Sequence, residues 1–146
     1  MTQHVVDASV VIKWFIDEVH AEAARRLQAD YYDLLAPDLF WPESGNILWK
    51  KVRRGELTAD EARLIWDGLE QQPISTFPSR LVLEPALEVA LDTSRTVYDS
   101  CYVALAMLMH CQLVTADPKL FNALRDGSYA TYLCWVADVE GPSRIH

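Results

Sequence analysis

Apolar runs along this chain are adjoined or interrupted by an acid in four places. Asp7 follows His4-Val5-Val6, Glu43 sits in Trp41–Leu48 (WPESGNIL), Asp99 in Tyr98–Ala106 (YDSCYVALA) and Asp117 in Leu113–Phe121 (LVTADPKLF). Each carboxylate therefore belongs near the interior rather than on a solvated face. An unpartnered buried carboxylate costs on the order of several kcal/mol or more. The sequence offers no matching set of interior Lys or Arg. A hard divalent cation is the natural partner, and oxygen ligands suit Mg²⁺ or Mn²⁺.

Short strands alternate with helices throughout. Strands are predicted at His4–Val6, Leu34–Ala36, Pro73–Phe77, Gln112–Thr115 and Tyr132–Val136. Helices are predicted from Ser9 as cap to Phe15, over His20–Asp30, Leu39–Arg54, Thr58–Gln71 and Arg80–Asp92, from Thr96 as cap, and from Asp117-Pro118 onward. Thr58-x-x-Glu61 is a capping box, Gly55 a helix stop, and Pro42 and Pro85 fit only first turns. Tyr98, Tyr102, Leu105 and Met109 recur at helical spacing. This alternation implies a mostly parallel sheet covered on both faces by right-handed crossovers. Asp7 and Asp117 then follow the carboxyl ends of two strands, and Glu43 and Asp99 open helices on the same rim, where sites in such sheets form. Taken singly, each acid is an ordinary cap or turn residue. Independent caps have no reason to collect on one edge.

At 146 residues the chain is expected to be one domain, 1–146. The formal charge of −8 argues against a broad nucleic-acid-binding face. Without the four acids the remainder stands at −4, still acidic and suited to a basic protein partner. Cys101, Cys111 and Cys134 are odd in number and lack C-x-x-C spacing, which implies free thiols in a reducing, cytoplasmic setting. No secretory signal or membrane span is expected.

The segments Val5–Val10 (VVDASV), Pro42–Leu48 (PESGNIL), Tyr98–Ala106 and Leu113–Leu120 (LVTADPKL), in this order and at this total length, resemble the PIN-domain nucleases, and among them the toxins of VapBC toxin–antitoxin pairs. The resemblance spans essentially the whole chain. It implies a three-layer α/β/α sandwich with parallel strand order 3-2-1-4-5. It implies a Mg²⁺- or Mn²⁺-dependent endoribonuclease toxin, dimeric, and held inactive by a cognate antitoxin that lies over the helices around the site. Asp7, Glu43, Asp99 and Asp117 take the family's acidic, metal-binding positions, Thr115 its hydroxyl position, and Asn46 a polar one.

A bound cation lowers the pKa of its water and polarises the phosphoryl oxygen. Asp7 and Asp99 are expected as the most direct ligands, Asp117 and Glu43 directly or through water, and Thr115 behind them. Water as nucleophile leaves a 5′-phosphate and a 3′-hydroxyl. Lys50, Lys51, Arg53 and Arg54 form a basic run that either guides RNA or complements a helix end. Trp14 and Trp41 are candidate base-stacking platforms, although tryptophans are more often core. His4, His20, His110 and His146 carry no assigned role. A phospho-acceptor receiver is disfavoured, since Asp7 lacks an acidic neighbour. A haloacid-type phosphatase needs Asp-x-Asp where the chain has Asp7-Ala8-Ser9. The remaining rival is a PIN fold acting as an RNA- or protein-binding module.

Overall fold

The computed structural model describes residues 2–141. Five parallel strands make one sheet: β1 (Thr2–Val6), β2 (Tyr32–Pro37), β3 (Ile74–Phe77), β4 (Gln112–Thr115) and β5 (Leu133–Trp135), in order β3-β2-β1-β4-β5. The expected α/β/α class and strand order are those found. Side chains alternate across a strand, so neighbours serve opposite faces. Val6, Leu34 and Val114 enter one core, and Val5, Leu35 and Leu113 the other. Two apolar cores therefore sandwich the sheet, as parallel strands require.

One face is covered by α1 (Ala8–Val11), α2 (Ala21–Arg25), α3 (Phe40–Arg53) and α4 (Ala59–Glu70). The other is covered by α5 (Leu83–Thr93), α6 (Val97–Leu108) and α7 (Pro118–Leu124). The α4 capping box is present in full, with reciprocal bonds between Thr58 and Glu61. Helix α3 ends on Gly55 at φ 76°, with Glu56 N–H donating to the Lys51 carbonyl and Gly55 N–H to the Val52 carbonyl. That Schellman arrangement needs a left-handed residue.

Four local expectations are corrected. Asp7, not Ser9, caps α1: its backbone is extended and its carboxylate accepts from Val10 N–H, while Ser9 lies inside the helix. The helix over His20–Asp30 is only Ala21–Arg25 plus a 3-10 turn at Arg26–Gln28, because Ala29 turns extended to deliver the chain into β2. The segment starting at Arg80 opens as a 3-10 turn, Ser79–Val82, which places Pro85 in the first turn of α5. Helix α6 has no single apolar stripe, since Ser100 through Ala106 are all buried while Tyr98 is exposed. Such a helix is apolar on every side because it lies between layers.

Trp14 belongs to the core, not to a base-stacking surface. It is buried, and its indole N–H donates to the Ala24 carbonyl at 2.8 Å. Trp41 is half-buried and meets Trp66 edge-on at 6.2 Å between α3 and α4. Trp14→Phe removes the indole bond to the Ala24 carbonyl, which keeps a backbone N–H partner at the end of α2, and is expected to cost about 0.5–1.5 kcal/mol, a fall of roughly 2–4 °C in melting temperature per kcal/mol. RNA binding should be unchanged. Weaker RNA binding at unchanged stability would restore the stacking role.

Candidate active site

The strand order reverses at β1, whose neighbours β2 and β4 are reached by crossovers in opposite directions. A crevice opens at the carboxyl ends there. It is a cleft of about 510 Å³ whose walls include Asp7, Glu43, Asp99 and Asp117, together with Ser9, Asn46, Lys50, Tyr98 and Tyr102. Thr115 lies directly beneath. The four acids, 110 residues apart from first to last, thus share one cleft.

Asp7 is the most deeply placed, at 7% exposure. Its Oδ1 accepts from the Ser9 hydroxyl and from Val10 N–H. Its Oδ2 accepts from the fully buried Thr115 hydroxyl at 2.5 Å. Thr115 Oγ1 in turn accepts from Asp117 N–H at 3.1 Å. Both hydrogen-bonding capacities of Thr115 are used, and the loop carrying Asp117 is tied to Asp7. Asp117 caps α7, its Oδ1 accepting from Lys119 N–H at 2.9 Å ahead of Pro118. Asp99 stands third in α6, where its N–H donates to the Thr96 cap at 3.0 Å. Glu43 lies in the first turn of α3 and accepts from the Tyr102 hydroxyl at 2.6 Å.

Three of the four carboxyls hold protons more tightly than usual. Burial pushes Asp7 up to about 6 despite its hydrogen bonds, with the Asp117 charge adding to the effect. Burial also raises Glu43, against the Tyr102 bond and with Asp7 and Asp99 reinforcing it. Burial raises Asp99, with Asp117 reinforcing and Arg95 opposing. The residues thus repel one another across the cleft.

One interior lysine stands apart from the four acids. Lys13 is 7% exposed, but it pairs with Glu18 at 3.1 Å and not with the four acids. Arg95 Nε stands 3.6 Å from Asp99 Oδ2, an ion pair too long for a hydrogen bond. Sequence reasoning gave Tyr102, Ser9 and Arg95 no place in the site, and marked Ser9 only as a helix cap. Tyr102 had only its helical spacing, and Arg95 only its position four residues before Asp99.

The carboxylates line the walls and do not close on one point. Among the described residues, no three His, Cys, Asp or Glu side chains are gathered as the ligands of a single ion. A cation that keeps several waters needs only one or two carboxylates. Mutually repelling, partly desolvated carboxylates of this kind fit such an ion. No histidine among the described residues lines the cleft. The Cys101 thiol, pushed up to about 11 by burial and then by the Glu43 and Asp38 charges, is no nucleophile.

The sign of the Asp7 shift fixes a stability profile. Its folded pKa exceeds its unfolded value, so its contribution to stability is full below about pH 4 and lost as pH rises through about 6. The shift corresponds to an upper bound of about 3 kcal/mol. In chelator, the stability of Asp7→Asn relative to wild type should therefore rise between pH 4 and 7 in thermal melts. Parallel profiles would contradict the burial argument.

The PIN domain family profile matches residues 4–126. Ribonuclease VapC3 of Pyrobaculum aerophilum is 36% identical over 120 residues, which cover 80% of this chain and 90% of that protein. Ribonuclease VapC9 of Mycobacterium tuberculosis is 30% identical over 119 residues, covering 80% and 87%. The crystal structure of PAE2754 from Pyrobaculum aerophilum superposes with a TM-score of 0.63 at 25% identity, covering 86% of this chain and 82% of that one. A toxin–antitoxin complex from Klebsiella pneumoniae shares the fold, with a TM-score of 0.55 at 14% identity, covering 83% and 92%. Matched over most of its length by the profile and by relatives of this identity, the chain is a VapC-like member of the PIN-domain family.

Proposed function

We propose that this chain is a divalent-metal-dependent endoribonuclease, the toxin of a toxin–antitoxin pair. The observation that carries this reading is the shared cleft: Asp7, Glu43, Asp99 and Asp117 line it together, and only Arg95 pairs with any of them among the described residues. The ribonuclease relatives support the substrate class.

Mg²⁺ or Mn²⁺, held by Asp7 and Asp99 with Asp117 and Glu43 beside them, would supply a water made acidic enough to give hydroxide near neutral pH and would draw charge from the phosphate. The chain's own residues prepare the place. Thr115 fixes the Asp7 carboxylate and the Asp117 backbone in one register. Tyr102 fixes Glu43 from α6, so the two helices present their acids at a set separation. Arg95 draws off part of the Asp99 charge and keeps that carboxyl from rising further. With no imidazole among the described wall residues to deprotonate a ribose 2′-hydroxyl, hydrolysis by water is the route that fits, leaving 5′-phosphate and 3′-hydroxyl ends.

The acidic cleft and net charge of −8 suit a basic antitoxin segment, and the fold shared with a toxin–antitoxin complex supports that reading. A homodimer working in the cytoplasm completes the proposal. No helix among the described residues is long and apolar enough to cross a membrane.

Purified protein should cut single-stranded RNA with Mn²⁺ or Mg²⁺ and not with EDTA. Asp7→Asn and Asp99→Asn should each lose roughly a hundredfold or more in rate, or about 3 kcal/mol of transition-state stabilisation, while remaining folded. Induced wild type should arrest growth, and Asp7→Asn should not. Equal cleavage by wild type and variants would mark a contaminant. No cleavage with either cation would leave the binding-module reading.

Thr115→Val tests the tie between the two loops. It keeps the shape, removes the hydroxyl that Asp7 and Asp117 share, and should lower cleavage at least tenfold. Full activity in the variant would dismiss that role.

A further inference from the structure

Three of the chain's four lysines, Lys13, Lys50 and Lys51, line one pocket of about 290 Å³ together with Arg54. This pocket adjoins the acidic cleft, since Ser9, Ile47 and Lys50 line both. Its one acidic wall residue is Glu18. Glu18 clasps two ammonium groups, Lys13 Nζ at 3.1 Å and Lys51 Nζ at 3.0 Å. Burial alone would raise the Glu18 carboxyl, but the bonds from Lys51 and Lys13 outweigh it and hold it low. Glu56 stands outside the pocket, 3.6 Å from Lys51 and 4.0 Å from Arg54. Four cations thus face two carboxylates, and Lys50 has no ion pair among the described residues.

This concentration of positive charge is out of keeping with a chain of net charge −8. A buried lysine is costly, and Glu18 offsets that cost only by holding Lys13 and Lys51 in place. The result is a rigid pair of ammonium groups with two freer cations at the rim. Glu43, Ile47, Lys50 and Arg54 follow one stripe of α3 by helical spacing. The stripe runs from the acidic cleft at the N-terminal end to the basic pocket, and Lys50 lies about 10 Å along the axis from Glu43. An anionic polymer laid along it would have one phosphate at the acids and a later one at the lysines. Compact ammonium groups suit a phosphodiester, which needs no bidentate fork.

We propose that the pocket lined by Lys13, Lys50, Lys51 and Arg54 is a phosphate-binding subsite, which holds the RNA backbone beyond the phosphodiester in the acidic cleft. It rests on the endoribonuclease reading for its substrate, but its binding can be measured without cleavage.

The test is fluorescence anisotropy of a labelled single-stranded RNA on the full chain in EDTA, titrated across salt. The double variant Lys50→Ala/Arg54→Ala changes two exposed side chains and should bind about tenfold more weakly. Its slope of log affinity against log salt should be shallower by about 1.4, or about 0.7 for each lost phosphate contact. Glu18→Gln unmasks positive charge and should bind more tightly, with a steeper slope, a direction that a purely structural role for Glu18 would not give. Arg63→Ala, on α4 and paired with Asp60, should match wild type. Identical affinities and slopes in all variants would overturn the subsite. So would a wild type that ignores RNA yet binds a poly-glutamate peptide through these residues, which would make the pocket a clasp for an acidic protein segment. Cleavage with Mn²⁺ is scored separately. Cleavage with unaltered binding would sink the subsite alone, whereas the expected binding shifts without cleavage would support the subsite and sink the nuclease reading.

Discussion

The Asp7 carboxylate, buried where the sheet order reverses, is the constraint around which the rest of the site is arranged. It costs the fold stability at neutral pH, and its three hydrogen bonds do not cancel that cost, since its pKa still rises to about 6. A side chain so placed serves badly as a cap alone. Thr115 would need no second bond to Asp117 if its role were only to satisfy Asp7. Together these bonds make the ends of β1 and β4 a single rigid edge.

All four acids stand in the first turns or caps of helices: Asp7 and Asp117 as caps, Asp99 third in α6, Glu43 in the first turn of α3. Each helix start carries a partial positive charge. Four such ends aimed at one crevice soften the repulsion among the carboxylates without neutralising it, as the raised Glu43 and Asp99 show. Capping and function are therefore not rival explanations here. The same geometry that makes an acid a good cap delivers it to the rim. Helix α3 then grades from acid to base along one stripe, and the chain's net charge conceals that polarity.

The sheet and the four acids were legible in the sequence because both rest on local signals. Strand runs such as Leu113–Thr115 alternate between two cores, and Asp117-Pro118 announces a helix start whatever surrounds it. What could not be read depends on contacts between distant segments. Tyr102 meets Glu43 across 59 residues and Thr115 meets Asp7 across 108, although family resemblance had marked Thr115. Spacing on α6 suggested a stripe where burial is complete, because periodicity cannot distinguish a surface helix from one enclosed between layers. The Ser9 cap failed for a local reason: Asp7, two residues earlier, already accepts from Val10.

On the proposed reading the clustered carboxylates hold a divalent cation. Isothermal titration of Mn²⁺ into the metal-free protein near pH 6, repeated in two buffers of different ionisation enthalpy, tests it most directly. Binding with net proton release is expected, because Asp7 is part-protonated there, and Asp99→Asn should weaken it at least tenfold. Absence of a binding isotherm, or identical binding by wild type and Asp99→Asn, would contradict the account.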